Sequence, residues 1–361
     1  MTTRSRTFRM GGVTVRRGQT QDIRVPVSER YTGDPVTLPV RVIRARRPGP
    51  TLFVTAGIHG DELNGVGVLH ELAFGPALPL SAGTVIFVLV ANVFGFETQS
   101  RYMPDRRDLN RCFPGTKSGS LSSRLASRLF EEVVRRSDYG IDLHSAAAPR
   151  MNFPNVRGDL KNPAVRRLAH AFGCELIVHG KGPEGSLRQE ATKAGCPTIL
   201  LEAGETCKIE PGVLEIGVRG VQNVLKDLQM MRGQPVASAR QSLIEKATWV
   251  RAQEGGILRY HVSPGAEVET GQPLATTVSV FGREQNVLNS PVDGIILGMT
   301  SLPTVKPGEP VCHIAIPRKL RSNGSRSSDS LHRRVRRDLA SSISISEREV
   351  RPDDLSEREE H

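Results

Sequence analysis

Between Thr51 and Met231 the chain switches repeatedly between apolar runs of strand length and longer stretches with helical spacing, and this alternation limits the fold more than any other feature. "TLFVTAG" reads as a buried strand, "LNGVGVLHEL" as a helix and "GTVIFVLVAN" as a second buried strand. "LSSRLASRLFEEVVRR" is an amphipathic helix ending before the strand "YGIDLH". "NPAVRRLAHAFG", "CELIVH", "SLRQEATKAG" and "PTILLEAG" continue the alternation, and a helix around "GVLEIGVRGVQNVLKDLQMM" closes it; "SAAAPRMNFPNVRG" reads as a loop. Residues 51–235 are thus expected to form an α/β domain with a mostly parallel or mixed sheet flanked by helices. Ligands of such sheets bind beyond the carboxyl ends of the strands, so the residues just after each strand are where chemistry is sought.

The flanks have a different texture. Residues 1–50 alternate apolar and polar positions between Gly and Pro, as in "DIRVPV" and "VTLPVRVIRA", and predict short antiparallel strands packing on the α/β domain. Over 240–317 two passages, "SPGAEVETGQPLA" and "PTVKPGEPVCHIA", repeat a Pro-Gly turn before an apolar strand. They predict a small all-β domain that resembles the biotinyl/lipoyl carrier fold. Where a carrier would display its modified lysine this chain has "VFGREQNVL", with Arg283 and no lysine, so carrier function is not expected. Residues 318–361 are rich in Ser and charge and are expected to be disordered.

With 361 residues, 38% of them hydrophobic, the chain can bury a large core. "MTTRSRTFRM" lacks the apolar segment of a secretory signal, and "TVIFVLVANVF" is too short to span a bilayer, so a cytoplasmic protein without a membrane partner is expected. Five scattered cysteines with no C-x-x-C pair argue against a disulfide framework or a thiolate metal site, so any metal ligands should be His and carboxylates. The net charge of +11 gathers in the first fifty residues and the tail, with only 4% aromatics, which favours a solvated basic surface over nucleic-acid binding.

Against that background "TAGIHGDELNG" places His59 and Glu62 just past a strand, with Asp61 expected to turn outward. His144 ends the strand "YGIDLH". Two imidazoles and a carboxylate are the donor set of a catalytic zinc that keeps one position open for water. Glu202, closing the apolar strand "PTILLEAGE", is the candidate general base, with Glu205 as the second choice. The arginine-rich stretch "RYMPDRRDLNRCFPG" offers side chains suited to bidentate carboxylate recognition or to stabilising an oxyanion, with Asn110 as a second polar clamp beside Arg111.

The succession "GIHGDE", "DLNRCFPG", "DLHS", "LLEAGE" resembles the succinylglutamate desuccinylase and aspartoacylase family, relatives of the zinc carboxypeptidases, over about residues 40–235, and the trailing β region also fits it. The resemblance implies one zinc held by His59, Glu62 and His144, with Glu202 as general base. It implies Asn110 and Arg111 as the clamp for a substrate carboxylate and Arg101 as the carbonyl-polarising arginine, with Arg106 and Arg107 as alternatives. The activity so implied is hydrolysis of a small N-acylated amino acid; the alternatives are a metallocarboxypeptidase acting on short peptides and a binding protein with a degenerate metal site. Homo-oligomerisation is left open.

Overall fold

The computed structural model describes residues 7–76, 78–236, 238, 240–318 and 330–343. A short hairpin, β1 (Phe8–Met10) and β2 (Val13–Val15), precedes β3 (Thr20–Glu29), β4 (Pro35–Arg44) and β5 (Arg47–Ala56). Then come α1 (Asn64–Phe74), β6 (Ala82–Val88), α2 (Val93–Thr98), α3 (Leu121–Glu132), β7 (Tyr139–His144) and β8 (Arg150–Gly158). α4 (Pro163–Phe172), β9 (Leu176–His179), α5 (Leu187–Lys193), β10 (Thr198–Glu205) and α6 (Pro211–Asp227) complete the α/β region. At its centre β5, β7 and β10 run parallel, while β8 runs antiparallel to β10, and β3 and β4 extend the sheet through β6. The sheet is therefore mixed. The segment expected as a loop, "SAAAPRMNFPNVRG", contains β8; Met151, Phe153 and Val156 are buried in it, a pattern that its Pro and two Asn mask in the sequence.

Both faces of the central strands are apolar, as a sheet covered on both sides requires. Along β5, Leu52, Val54 and Ala56 face one core with α1, α4 and α6, and Phe53 faces the other with α3 and α5. Each such side chain contributes roughly 1.5–3 kcal/mol on burial. Local signals set the ends of α4: Asn162 accepts from the Ala164 and Val165 amides, Pro163 follows, and Gly173 terminates the helix with φ +96°.

The C-terminal strands are β11 (Ser242–Arg251), β12 (Gly256–Tyr260), β13 (Glu267–Val268), β14 (Pro273–Val278), β15 (Glu284–Asn289), β16 (Gly294–Thr300), β17 (Thr304–Val305) and β18 (Pro310–Pro317). β15, β14, β12 and β17 form a separate sheet, and the apolar core it covers is shared with β16 and β18. β11 pairs with β9, however, and β16 with β8, so β13, β16, β18 and β11 continue the catalytic sheet, which reaches twelve strands among the described residues. The region expected as a small all-β domain is thus built of strands, four of which also extend the main sheet.

The tail also departs from expectation. Ser330–Ala340 forms a helix, α7, that buries Leu331, Val335 and Leu339 in the core beside α6. These positions fall at i, i+4 and i+8, a one-sided stripe that the surrounding arginines obscure in composition. Arg336 pairs with Glu175 at 2.5 Å, and Arg334 with Glu215. Residues 319–329 and 344–361 of the expected disordered tail lie outside the described residues. Among the described residues no helix is long and apolar enough to cross a membrane.

Candidate active site

β5 ends at Ala56, and two glycines shape the turn that follows. Gly57 has φ +63°, and a Cβ on Gly60 would stand 1.9 Å from the Gly95 carbonyl carbon, so only glycine fits there. Asn64 ties the turn to the loop after β10: its Nδ2 donates to Glu210 Oε2 and its Oδ1 accepts from the Glu210 amide, both at 2.8 Å. Asp61 is buried rather than turned outward, because Cys207 and Thr206 donate to its carbonyl and draw the turn inward.

The turn brings His59 and Glu62 to His144 at the end of the neighbouring β7, all three buried, with one donor atom from each within 4.8 Å of the others. Glu62 lies between the imidazoles: Oε1 is 2.6 Å from His59 Nδ1 and Oε2 is 2.8 Å from His144 Nδ1, and Oε2 also accepts from the Ser145 amide. The far nitrogens are backed by carboxylates, Asp108 at 3.0 Å from His59 Nε2 and Asp142 at 2.9 Å from His144 Nε2. Thr55 in turn donates to Asp142 at 2.7 Å.

Burial opposes charge on every one of these groups. Glu62 and Asp108 nevertheless outweigh it at His59, and Asp142 and Glu62 at His144, so both imidazoles titrate above their ordinary value. The same attractions hold Glu62 and Asp108 ionised, well below the usual carboxylate range. Three carboxylates surround two imidazoles; Arg101 reaches Glu62 at 3.2 Å and Asp108 at 3.0 Å, and Arg111 pairs with Asp108 at 3.9 Å. With the imidazoles neutral, as metal ligands must be, the carboxylates outnumber the cationic groups, and a buried set of two imidazoles and a carboxylate, the imidazoles oriented from behind by carboxylates, fits a divalent cation.

The cluster opens on a cleft of about 370 Å³. Glu202 lines it and is the register partner of His144 across the parallel strands β10 and β7, so the backbone pairing itself sets it beside a candidate ligand. Asn152 donates to Glu202 Oε2 at 3.0 Å, and Arg157 stands 3.7 Å from Oε1. Glu205 does not line this cleft; it pairs with Lys208 at 2.5 Å. Arg101, Asn110 and Arg111 also line the cleft, whereas Arg106 and Arg107 are exposed outside it. Asn110 Oδ1 accepts from the Leu187 amide, which leaves its Nδ2 as the side-chain donor.

Several lining residues escape sequence reasoning. Arg188 on α5 is only 7% exposed, yet its Nε and Nη1 have no hydrogen-bond partner, and burial together with nearby Arg157 lowers its pKa to about 10. A desolvated guanidinium with unsatisfied donors beside a cleft has the chemistry to receive an anion. Arg150 and Arg157 come from β8, which was not legible as a strand, and Trp249 and His313 from the C-terminal strands, where they stack with centroids 4.3 Å apart. Asp108 and Asp142 did carry a signal, in "DLNR" and "DLH", as acids next to candidate site residues.

The description "Succinylglutamate desuccinylase/Aspartoacylase catalytic domain" matches residues 48–228, and the chain belongs to this family. It is 27% identical over 266 residues to the N-alpha-acetyl-L-2,4-diaminobutyric acid deacetylase of Halomonas elongata, covering 70% of this chain and 78% of that one. A crystal structure of a succinylglutamate desuccinylase/aspartoacylase from Rhodobacter sphaeroides is similar with TM-score 0.74 and 25% identity, over 88% of this chain and all of that chain. The product-bound ectoine utilization protein of Ruegeria pomeroyi shares the fold, with TM-score 0.74 and 22% identity over 84% and 96% of the two chains.

Proposed function

We propose that this protein is a zinc-dependent hydrolase that cleaves the amide bond of small N-acylated amino acids. The observation that carries the reading is the juxtaposition of the His59, Glu62 and His144 cluster with Glu202, its lateral neighbour, in one arginine-lined cleft. A zinc ion in such a donor set supplies Lewis acidity and a water that is acidic near neutral pH. Glu202 takes a proton from the attacking water and returns it to the leaving amine, giving a carboxylate and an amine. Asn152 orients that carboxylate through its 3.0 Å bond. Arg101 donates to the developing carbonyl oxygen, and Arg111, Asn110 and Arg188 hold substrate carboxylate. Trp249 and His313 wall the cleft from the C-terminal side, which favours small substrates over the peptides of a carboxypeptidase.

The charge of the wall narrows the substrate class. Arg101, Arg111, Arg150, Arg157 and Arg188 face the cleft, against Glu62 and Glu202. A substrate with more than one carboxylate suits this wall, and a cationic side chain of the diaminobutyrate kind does not. The test is a panel of N-acyl amino acids with anionic, neutral and cationic side chains given to the zinc-loaded full chain. The expected order of kcat/KM is anionic, then neutral, then cationic; a cationic substrate in first place overturns the class.

A further inference from the structure

Gly298 interrupts β16 between Leu297 and Met299, in a strand that is buried along its whole length. Glycine weakens the interior of a strand, and the backbone does not demand it here, since φ at Gly298 lies outside the left-handed region. The demand is for space. Gly298 is the register partner of Asn152 on β8 and of His313 on β18, so it sits between two residues whose side chains line the catalytic cleft. A Cβ on Gly298 would stand 2.5 Å from Asn152 Oδ1 and 3.0 Å from the Met151 carbonyl oxygen. Met151 is held in register with Glu205 of β10 and Met299 of β16, which fixes its carbonyl, so the side chain of Asn152 is the part that would give way.

That side chain is the one that reaches Glu202. Asn152 Nδ2 donates to Glu202 Oε2 at 3.0 Å, whereas Arg157, also on β8, stays 3.7 Å from Oε1. Oδ1 and Nδ2 hang on the same carbon, so a group that pushes the oxygen aside swings the nitrogen off Glu202. Turning the amide over offers no escape, because it would set Oδ1 against the carboxylate, acceptor against acceptor. A line of contact thus runs from the missing side chain on β16 through Asn152 on β8 to the carboxylate on β10, which is itself in register with His144. A general base works only within hydrogen-bond reach of the proton it takes, and small misplacements are costly.

We propose that Gly298 is a positioning residue for the reaction: by carrying no side chain it leaves Asn152 free to hold the Glu202 carboxylate. The C-terminal strands thereby set the geometry of the base as well as walling the cleft. This inference rests on the reading of Glu202 as general base.

The test compares the zinc-loaded parent with G298A, N152A and the double variant G298A/N152A, all as full chains. Amine release gives kcat and KM, and spectra of nitrogen-labelled protein give the Asn152 side-chain amide resonances, identified by their loss in N152A. G298A should lower kcat at least ~10-fold with KM within about 2-fold of the parent, because the contact serves the base and not substrate binding. The double variant should be no slower than N152A, since the added methyl then has no amide to displace. The amide resonances should shift in G298A and in E202Q alike. Parent-like kcat in G298A, a double variant slower than N152A, or unmoved amide resonances would each overturn the proposal. Should G298A fail to fold, the double variant, in which the shortened side chain leaves room, decides by the same comparison with N152A. A parent that releases no amine would fail the hydrolase reading instead, and the amide resonances would still decide whether Gly298 positions Asn152.

Discussion

The residues of the site divide into those that would touch the cation and those that hold them in place, and substitutions separate the two. His59→Ala or His144→Ala should abolish stoichiometric zinc and turnover together, because three protein ligands leave no redundancy; elemental analysis checks this. Asp142→Asn keeps the ligands but weakens the 2.9 Å support behind His144, so zinc affinity should fall about 10–100-fold, read by competition with a chelator. Glu202→Gln should retain zinc and lose at least ~100-fold in kcat. His313 is a residue whose protonation bears on stability: burial, then Arg157 and Arg150, lower its pKa to about 4. The unfolded chain titrates near 6.5, so between these values it binds more protons than the folded one. This part of the stability is complete above about pH 6.5 and is lost as pH falls toward 4. Thermal melts of His313→Gln should show a shallower acid slope than the parent; equal slopes would assign the acid sensitivity elsewhere.

At the scale of elements, α7 carries the clearest prediction. Ending the chain after Arg318 removes Leu331, Val335 and Leu339 from the core and exposes the surface they cover, so the melting temperature should fall by several degrees. An unchanged melting temperature would show that the helix contributes nothing. The same helix shows what the sequence hides. The buried strands of the α/β region announce themselves because each is dense in apolar residues, and the candidate ligands are legible because they end those strands or follow them directly. β8 and α7 are written in mixed text, with Pro and Asn inside the strand and arginines around the helical stripe, and only their packing partners declare them. The position of Glu202 beside His144 follows from strand order and register, which no local pattern contains. Arg188 is equally silent, since its helix is seven residues long and packs against β10 and β7, which are distant in sequence or follow it.

On the proposed reading, the net charge of +11 and the arginines of the cleft would draw anionic substrates toward the site over the whole molecule. kcat/KM on a dianionic substrate should therefore decline as salt rises from about 0.01 to 0.5 M, while kcat stays level; a flat profile would remove long-range attraction from the account. The central claim is that the cleft hydrolyses amides by metal-activated water with Glu202 as base. Its most direct test is amine release from N-acyl amino acids as zinc is titrated into metal-free full-length protein. Activity should rise to a plateau at one zinc per chain and be at least ~100-fold lower at every ratio in Glu202→Gln. Protein carrying one zinc that releases no amine from any substrate, or a Glu202→Gln variant that turns over like the parent, would contradict it.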